Sequence, residues 1–173
     1  MVFTEKKANV IQQIVRRLAA TRVMGWVLAR LMHRLDKRVM RWTQGRNSAT
    51  SLLTGLPLVL LTTTGAKSGQ PRTIPITPTP DGDRLILIAS NWGQKHDPAW
   101  YLNLKAHPEV TVEYRGRSQT YVAKELTGPE RDTAWQKAVS RYPGYEAYRG
   151  RTGGRGIPVV GLVRKEVTER LRD

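Results

Sequence analysis

At 173 residues the chain has room for one domain with a single well-buried core. It contains no cysteine, which excludes disulfides, thiolate catalysis and zinc–thiolate sites and suits a reducing cytosol. Its 29 Lys and Arg stand against 14 Asp and Glu, a net charge of +15, so its partner should be anionic: nucleic acid, acidic lipid, or a phosphorylated or polycarboxylate cofactor.

The positive excess is uneven. Residues 1–50 hold 11 Lys/Arg and 2 Asp/Glu, a net +9, which leaves +6 for the other 123 residues. Within this segment Ile11, Ile14, Val15 and Leu18 keep helical spacing, and Met24, Val27, Leu28, Leu31, Met32, Leu35 and Val39 resume it after a break near Thr21–Gly25. Arg16, Arg17, Arg30, Arg34, Lys37, Arg38 and Arg41 occupy the other face. The pattern predicts a basic amphipathic helix over residues 8–43. Two readings stand side by side: a helix packed on protein, or one lying in an anionic membrane interface with Trp26 and Trp42 as anchors. No apolar run approaches the roughly 20 residues that span a bilayer, and "MVFTEKKANV" lacks the apolar core of a secretion signal. The expected organisation is a helical segment at 1–50, a linker "GRNSATS", and a β domain at 51–173.

From Leu56 the pattern turns to β. "PLVLLTTT" reads as a buried strand. "RTIPITPT" alternates with Ile74 and Ile76 on one face, and its prolines place it at an edge or bulge. The "DGD" at Asp81–Asp83 signals a hairpin turn into "RLILIAS". After "NWGQKHDP" comes a short helix, "AWYLNLKAHP", which Pro108 ends. "EVTVEY" and "SQTYVAKEL" flank "RGR" as a second hairpin. Thr127, Pro129 and Glu130 mark a helix start, and "GIPVVGLVRK" is the last strand. Antiparallel hairpins with few helices between them predict an α+β chain built on a closed or half-open barrel rather than a doubly wound sheet.

The turn "TTTGAKSGQPRTIPI" carries the densest chemistry. It is not a nucleotide-binding P-loop, because Ala66 precedes Lys67 and a proline and strand follow instead of a helix. Gly65 and Gly69 nevertheless permit close backbone approach, so peptide N–H groups can face an anion. Lys67 adds charge, Ser68 a hydroxyl, and Arg72 a planar fork for phosphate or carboxylate oxygens. An ordinary solvated hairpin fits the same residues. His96 and His107 lack the paired spacing of a metal site, and no metal is expected.

Three blocks, "LLTTTGAKSGQPRTIPI", "DGDRLILIASNWGQKHDPAWYLNLKAHPEVTVE" and "YPGYEAY", together resemble the deazaflavin-dependent nitroreductase family from about Leu52 to Val163. That resemblance implies a split β-barrel of the flavin-reductase and pyridoxamine-oxidase type, and the reduced coenzyme F420 as hydride donor. Carried over residue by residue, it gives the cofactor Ala66, Lys67 and Ser68 in the turn, and Arg72, Thr73, Ile74, Pro75, Ile76 and Thr77 along the next strand. It adds Ile88, Ala89, Ser90 and Asn91 at a strand end, then Ala99, Trp100, Tyr101, Leu102 and Asn103 at the start of the short helix. Trp100 and Leu104 also read as ordinary core residues. Tyr142, Tyr145 and Tyr148 recur every three residues, so on one helical turn they would line the same side, and such rings can simply seal the barrel against a helix. By the resemblance they would wall the acceptor pocket as an exposed aromatic triplet, flanked by glycines, on a mobile lid, with Tyr145 also touching the cofactor. Ser90, Tyr142 and Tyr145 are the candidate proton donors. The family often has a tyrosine where this chain has Thr77, which bears on acceptor range.

The implied activity is a two-electron reduction of a quinone such as menaquinone, an enone or a nitroaromatic. The expected location is the cytoplasm, with peripheral contact on the inner face of the membrane. An FMN-binding barrel and a non-enzymatic basic module that binds membrane or nucleic acid are the competing readings. Against nucleic acid, the charge lies on a helix and not on a sheet interleaved with exposed aromatics.

Overall fold

The structure is a computed structural model and describes residues 55–166. The expected N-terminal helix, its tryptophan anchors and the boundary near residue 50 lie outside the described residues.

Seven strands form one antiparallel sheet: β1 (Val59–Thr64), β2 (Pro71–Ile76), β3 (Thr79–Asp81), β4 (Arg84–Ile88), β5 (Glu109–Tyr114), β6 (Arg117–Glu125) and β7 (Val159–Arg164). The helices are α1 (Ala99–Ala106), α2 (Gly128–Arg141) and α3 (Gly144–Arg149), and a 3₁₀ turn covers Asn91–Gly93. Strand order is β2-β1-β5-β6-β7-β4-β3. The segment expected as one strand, "RTIPITPT", is therefore two. Its first half pairs with β1 and its second with β4, at opposite edges of the sheet. Only Thr77 and Pro78 separate these edges in sequence, and two residues reach on the order of 10 Å at most. The sheet must therefore curl until its edges approach, which is the expected barrel geometry. The three strand prolines, Pro71, Pro75 and Pro80, all lie in edge strands, where a missing N–H leaves no interior ladder bond open.

Strand β4 shows how one curled sheet supports two cores. Leu85 and Leu87, with Ala89 just beyond the strand, enter a cluster with Val59, Leu61, Val112, Tyr121 and Leu162, which Trp100 and Leu104 of α1 close. Ile86 and Ile88 point the other way, against Trp135 and Ala138 of α2 and Tyr148 of α3. A strand buried on both faces reads as the continuous apolar run "LILI" instead of alternating.

The helix ends follow local chemistry. Pro108 pushes His107 to an extended conformation and ends α1. Pro143 does the same to Tyr142 at the end of α2 (φ −138°). Thr127 is the N-cap of α2, with proline and Glu130 in the first turn, although its hydroxyl makes no capping hydrogen bond. The side chain of Arg84 is bound by Asp81 at 2.7 Å and by Glu130, and Lys137 binds the same aspartate, so α2 is tied to the β3–β4 hairpin by charge as well as packing.

Candidate functional site

The glycine-rich turn joins β1 to β2. Its own backbone closes it: Gly65 N–H donates to Gln70 O (2.9 Å) and Gly69 N–H to Gly65 O (2.8 Å). Gly69 takes a left-handed φ of +64°, which glycine adopts freely, and a Cβ at Gly65 would crowd Ser68 Oγ at 2.6 Å and Gln70 O at 3.2 Å. The N–H of Ala66 donates to Asn103 Oδ1 on α1 at 3.0 Å, while Asn103 Nδ2 donates to Thr63 Oγ1 at 2.9 Å. Ala66 and Asn103, both expected to face the cofactor, thus spend these polar groups on each other. Their structural effect is to lock the turn to the start of α1.

What remains open is specific. Among the described residues, the N–H groups of Lys67 and Ser68 have no partner, and the side chains of Lys67 and Arg72 meet no carboxylate. All three side chains are exposed. The N-cap of α1 is Pro98, which has no side chain to cap it, so the N–H groups of Ala99 and Trp100 are also unpaired among the described residues. Thr73 to Ile76 lie on the edge strand, where Thr73 Oγ1 and Thr62 Oγ1 are 2.8 Å apart. Thr77 sits half-buried in the crossing to β3.

The other expected contacts are placed differently. Trp100 and Tyr101 are buried, and the Tyr101 hydroxyl donates to Glu125 Oε2 at 2.7 Å; burial and that carboxylate push its pKa well up. Their rings are part of the core, and of this block only Ala99 and Leu102 are exposed. Along 88–91, expected by resemblance to contact the cofactor, several backbone groups already have partners within the chain. Ile88 is paired with Val159, Ala89 N–H donates to Pro158 O, and the carbonyls of Ala89 and Ser90 accept from the guanidinium of Arg155 at 3.2 and 3.0 Å. The Ser90 side chain, by contrast, has no hydrogen-bond partner among the described residues, in a residue only 7% exposed.

Arg155 escaped the sequence reading. Besides those two carbonyls it donates to Gln94 O and forms an ion pair with Asp97 at 2.7 Å, so one side chain holds the whole loop from Ala89 to Asp97. An isolated arginine in "RTGGRGIP" carries no periodic or motif signal that would have revealed it.

The three tyrosines do come together, though not on one helical turn. Tyr142 lies before the Pro143 break and Tyr145 and Tyr148 after it, with ring centroids 5.2 to 6.4 Å apart. A Cβ at Gly144 would collide with the Tyr142 ring, so the break closes only around a glycine. The triplet was expected to be exposed, and the structure corrects this: Tyr148 is 2% exposed, and Tyr142 and Tyr145 are half-buried against α2. Burial raises all three hydroxyl pKa values, keeping the groups protonated at neutral pH. For Tyr142 the hydrogen-bond contact with Tyr148 and the charge of Arg151 work against that rise.

Helix α1 thus packs on one core, with the turn tied to it through Asn103, and the tyrosines pack on the other. The loop after β4 joins them, because Trp92 meets Tyr148 edge-on at 5.9 Å. His96 lies in this loop, with Nδ1 3.2 Å from Asn91 Nδ2, and His107 caps α1; among the described residues no three His, Cys, Asp or Glu groups converge. A polar recess of about 550 Å³, lined by residues including Thr111, Ser118, Thr120 and Arg164, touches none of the expected site residues. No helix among the described residues is long and apolar enough to cross a membrane.

These features match a known class of enzyme. An F420-H2-dependent reductase, FDR-A, superposes with a TM-score of 0.56 at 40% identity, covering 61% of this chain and 93% of that one. A second solved structure, described as a domain-swapped dimer, gives a TM-score of 0.59 at 35% identity over 73% of this chain and 94% of that one. The fold is that of the split-barrel reductases. An F420H(2)-dependent quinone reductase of Mycobacterium tuberculosis is 38% identical over 138 residues, 76% of this chain and 89% of the relative. The chain belongs to the F420H(2)-dependent quinone reductase family, which it matches over residues 32–164, and is an oxidoreductase that depends on F420H2.

Proposed function

We propose that this reductase delivers its electrons to a quinone, with enones and nitroaromatics as further acceptors, and that the β1–β2 turn holds the anionic part of the cofactor. The observation that carries the second half is the set of unpaired donors and cations at Lys67, Ser68 and Arg72. Coenzyme F420 bears a phosphate and glutamate carboxylates, and bare N–H groups beside a lysine and an arginine fit such a ligand. When bound, the reduced deazaflavin supplies a hydride.

The chain's own contribution is placement, exclusion of water and a proton. Lys67, Ser68 and Arg72 grip the anion. The open N–H groups of Ala99 and Trp100 add a positive helix end. The Ser90 hydroxyl, unpaired at the strand end, hydrogen-bonds the polar edge of the cofactor or the acceptor. Tyr142 holds the proton for the reduced acceptor, with Tyr148 behind it and Tyr145 walling the pocket. The small Thr77 leaves space where a tyrosine would stand. The basic residues 1–50 bring the enzyme to anionic membrane, where menaquinone is dissolved. Loss of vesicle co-sedimentation on deleting residues 1–45 tests that part.

The central experiment is a titration of purified protein with F420, together with Lys67→Ala and Arg72→Ala. Each variant should bind the cofactor roughly ten-fold more weakly, in line with a lost charge-assisted hydrogen bond. Turnover at saturation should change little. Unaltered affinity in both variants would remove the turn from the cofactor site.

A further inference from the structure

Trp92 is the residue that neither the fold nor the reading above accounts for. Three successive residues take left-handed backbone, Asn91 (φ 46°), Trp92 (φ 57°) and Gly93 (φ 79°). Glycine adopts this region freely, asparagine tolerates it, and a bulky side chain is strained there. The ring does not repay that strain through burial: Trp92 is 47% exposed and, with Leu102, is one of two exposed large hydrophobics among the described residues. A strained and half-solvated tryptophan is a poor choice for stability alone, and such outliers gather at ligand sites.

Its surroundings indicate the ligand. The indole meets Tyr148 edge-on at 5.9 Å, and Tyr148 shares its hydroxyl contact with Tyr142 at 2.8 Å. Ser90, with its unpaired hydroxyl, is two residues earlier on the same loop. The loop cannot drift from the tyrosines, because Gly93 packs so closely on Tyr148 and Arg151 that a Cβ there would stand 3.0 Å from each. Arg155 fixes the rest of the loop from the other side. A flat aromatic surface is thus held at one position beside the proton-bearing groups, with much of it open to solvent.

We infer that Trp92 is a specificity-determining residue, presenting its indole as the surface on which a planar aromatic acceptor stacks. The inference rests on the quinone-reductase reading and adds to it a preference for ring systems such as naphthoquinones over small aliphatic enones. Stacking of this kind contributes several-fold to affinity, up to about ten-fold. Trp92→Gly removes the ring and suits the backbone, and Trp92→Phe keeps a smaller ring.

The experiment uses full-length protein loaded with oxidised F420. Calorimetry measures binding of menadione, a soluble naphthoquinone, and steady-state assays give KM and kcat for menadione and cyclohexenone. Trp92→Gly should bind menadione about three- to ten-fold more weakly and raise its KM by the same factor, with little change in kcat or in cyclohexenone KM. Trp92→Phe should fall between. Strain relief and the lost ring contact oppose each other, so the melting temperature should stay within about 5 °C of the parent.

Equal losses for both acceptors, an unchanged menadione affinity, or a larger fall in melting temperature would overturn the inference. If the parent itself binds F420 but no quinone, the quinone reading fails first and takes this one with it. A parent that binds both while Trp92→Gly matches it sinks only the role of Trp92.

Discussion

The hydroxyl oxygens of Tyr142 and Tyr148 lie 2.8 Å apart across the helix break at Pro143, so the phenol that caps the end of α2 and one from α3 form one hydrogen-bonded pair. Tyr148 is the buried member and Tyr142 the accessible one. An anion on Tyr142 is stabilised by the Tyr148 hydroxyl, and Arg151, whose guanidinium lies 5.6 Å from the Tyr148 ring centroid, adds its charge. Tyr142→Phe should therefore lower kcat by about 10²-fold, the usual scale for loss of a positioned proton donor. Tyr148→Phe keeps the donor but removes its support and should have a smaller effect. It should also cost about 1 kcal/mol of stability for the lost hydrogen bond. A pH–rate profile for both variants is the check. Equal effects, or none in Tyr142→Phe, would leave the pair a packing role.

The turn and α1 are coupled through Asn103, and this gives a second prediction. Asn103→Ala leaves Ala66 N–H without its acceptor and Thr63 without its donor, and Thr63 is 2% exposed. Stability should fall by about 1–3 kcal/mol, and F420 affinity should fall with it as the turn loosens. Asn103→Asp separates the two effects. A carboxylate still accepts from Ala66 N–H and can accept from Thr63 Oγ1–H, so the fold should survive. Its charge beside Lys67 and Ser68 should still weaken an anionic ligand, and more so at low salt. Parent-like affinity in Asn103→Asp at low ionic strength would argue that the anion lies elsewhere.

Local chemistry made much of the architecture readable. The "DGD" turn, the "RGR" turn and the Thr127–Glu130 helix start each depend on neighbours in sequence, and the hairpins and helix follow them. The division of "RTIPITPT" was not readable, because both halves alternate alike and only the closing of the sheet sends them to opposite edges. The cations and the hydroxyl of the basic turn were legible by residue type. Which of its N–H groups stay open was not, since Asn103 reaches back from 37 residues away. The spacing of the tyrosines brought the right residues together for an incomplete reason: their cluster is assembled across a proline, by ring contacts, and not along one helix turn. Arg155 was invisible because its partners lie about 60 residues off and are mainly backbone carbonyls.

A third prediction concerns acid. Lys137 and Arg84 both bind Asp81, and the hydrogen bond from Lys137 leads in holding its carboxyl below the ordinary aspartate value, against some desolvation. A depressed carboxylate pKa contributes stability that is complete above the unfolded value of about 3.9 and is lost as pH falls through the folded one. Between neutral pH and about pH 4 this group should therefore give no slope. Below that, parent protein should lose melting temperature more steeply than Asp81→Asn. The partners are partly exposed, so the difference at neutral pH should be about 1 kcal/mol or less and shrink in salt. Parallel acid limbs for the two proteins would dismiss the network as a source of stability.

The loop carrying Ser90 and Trp92 depends on Arg155, whose side chain is 14% exposed and donates to Ala89, Ser90 and Gln94 carbonyls as well as to Asp97. Arg155→Met takes this donor from the Ala89 and Gln94 carbonyls and from the Asp97 carboxylate, while Ser90 O keeps Gly93 N–H, and the methionine stem fills part of the space. Removing one partner of a largely buried ion pair costs about 3–5 kcal/mol, and the partial exposure of Asp97 brings the expectation to about 2–3. Arg155→Lys keeps the charge but not the planar fork, and should recover less than half of that loss. The informative readout is local. Hydrogen exchange should speed up at Gly93 and Gln94, whose N–H groups bond Ser90 O and Asn91 O, while the β5–β6 hairpin amides keep parent rates relative to global stability. Quinone KM should rise with the loop's freedom. F420 affinity, which the proposed function assigns mainly to Lys67 and Arg72, should change less. A variant that melts lower yet exchanges uniformly would show that Arg155 supports the barrel as a whole and does not specifically order the loop.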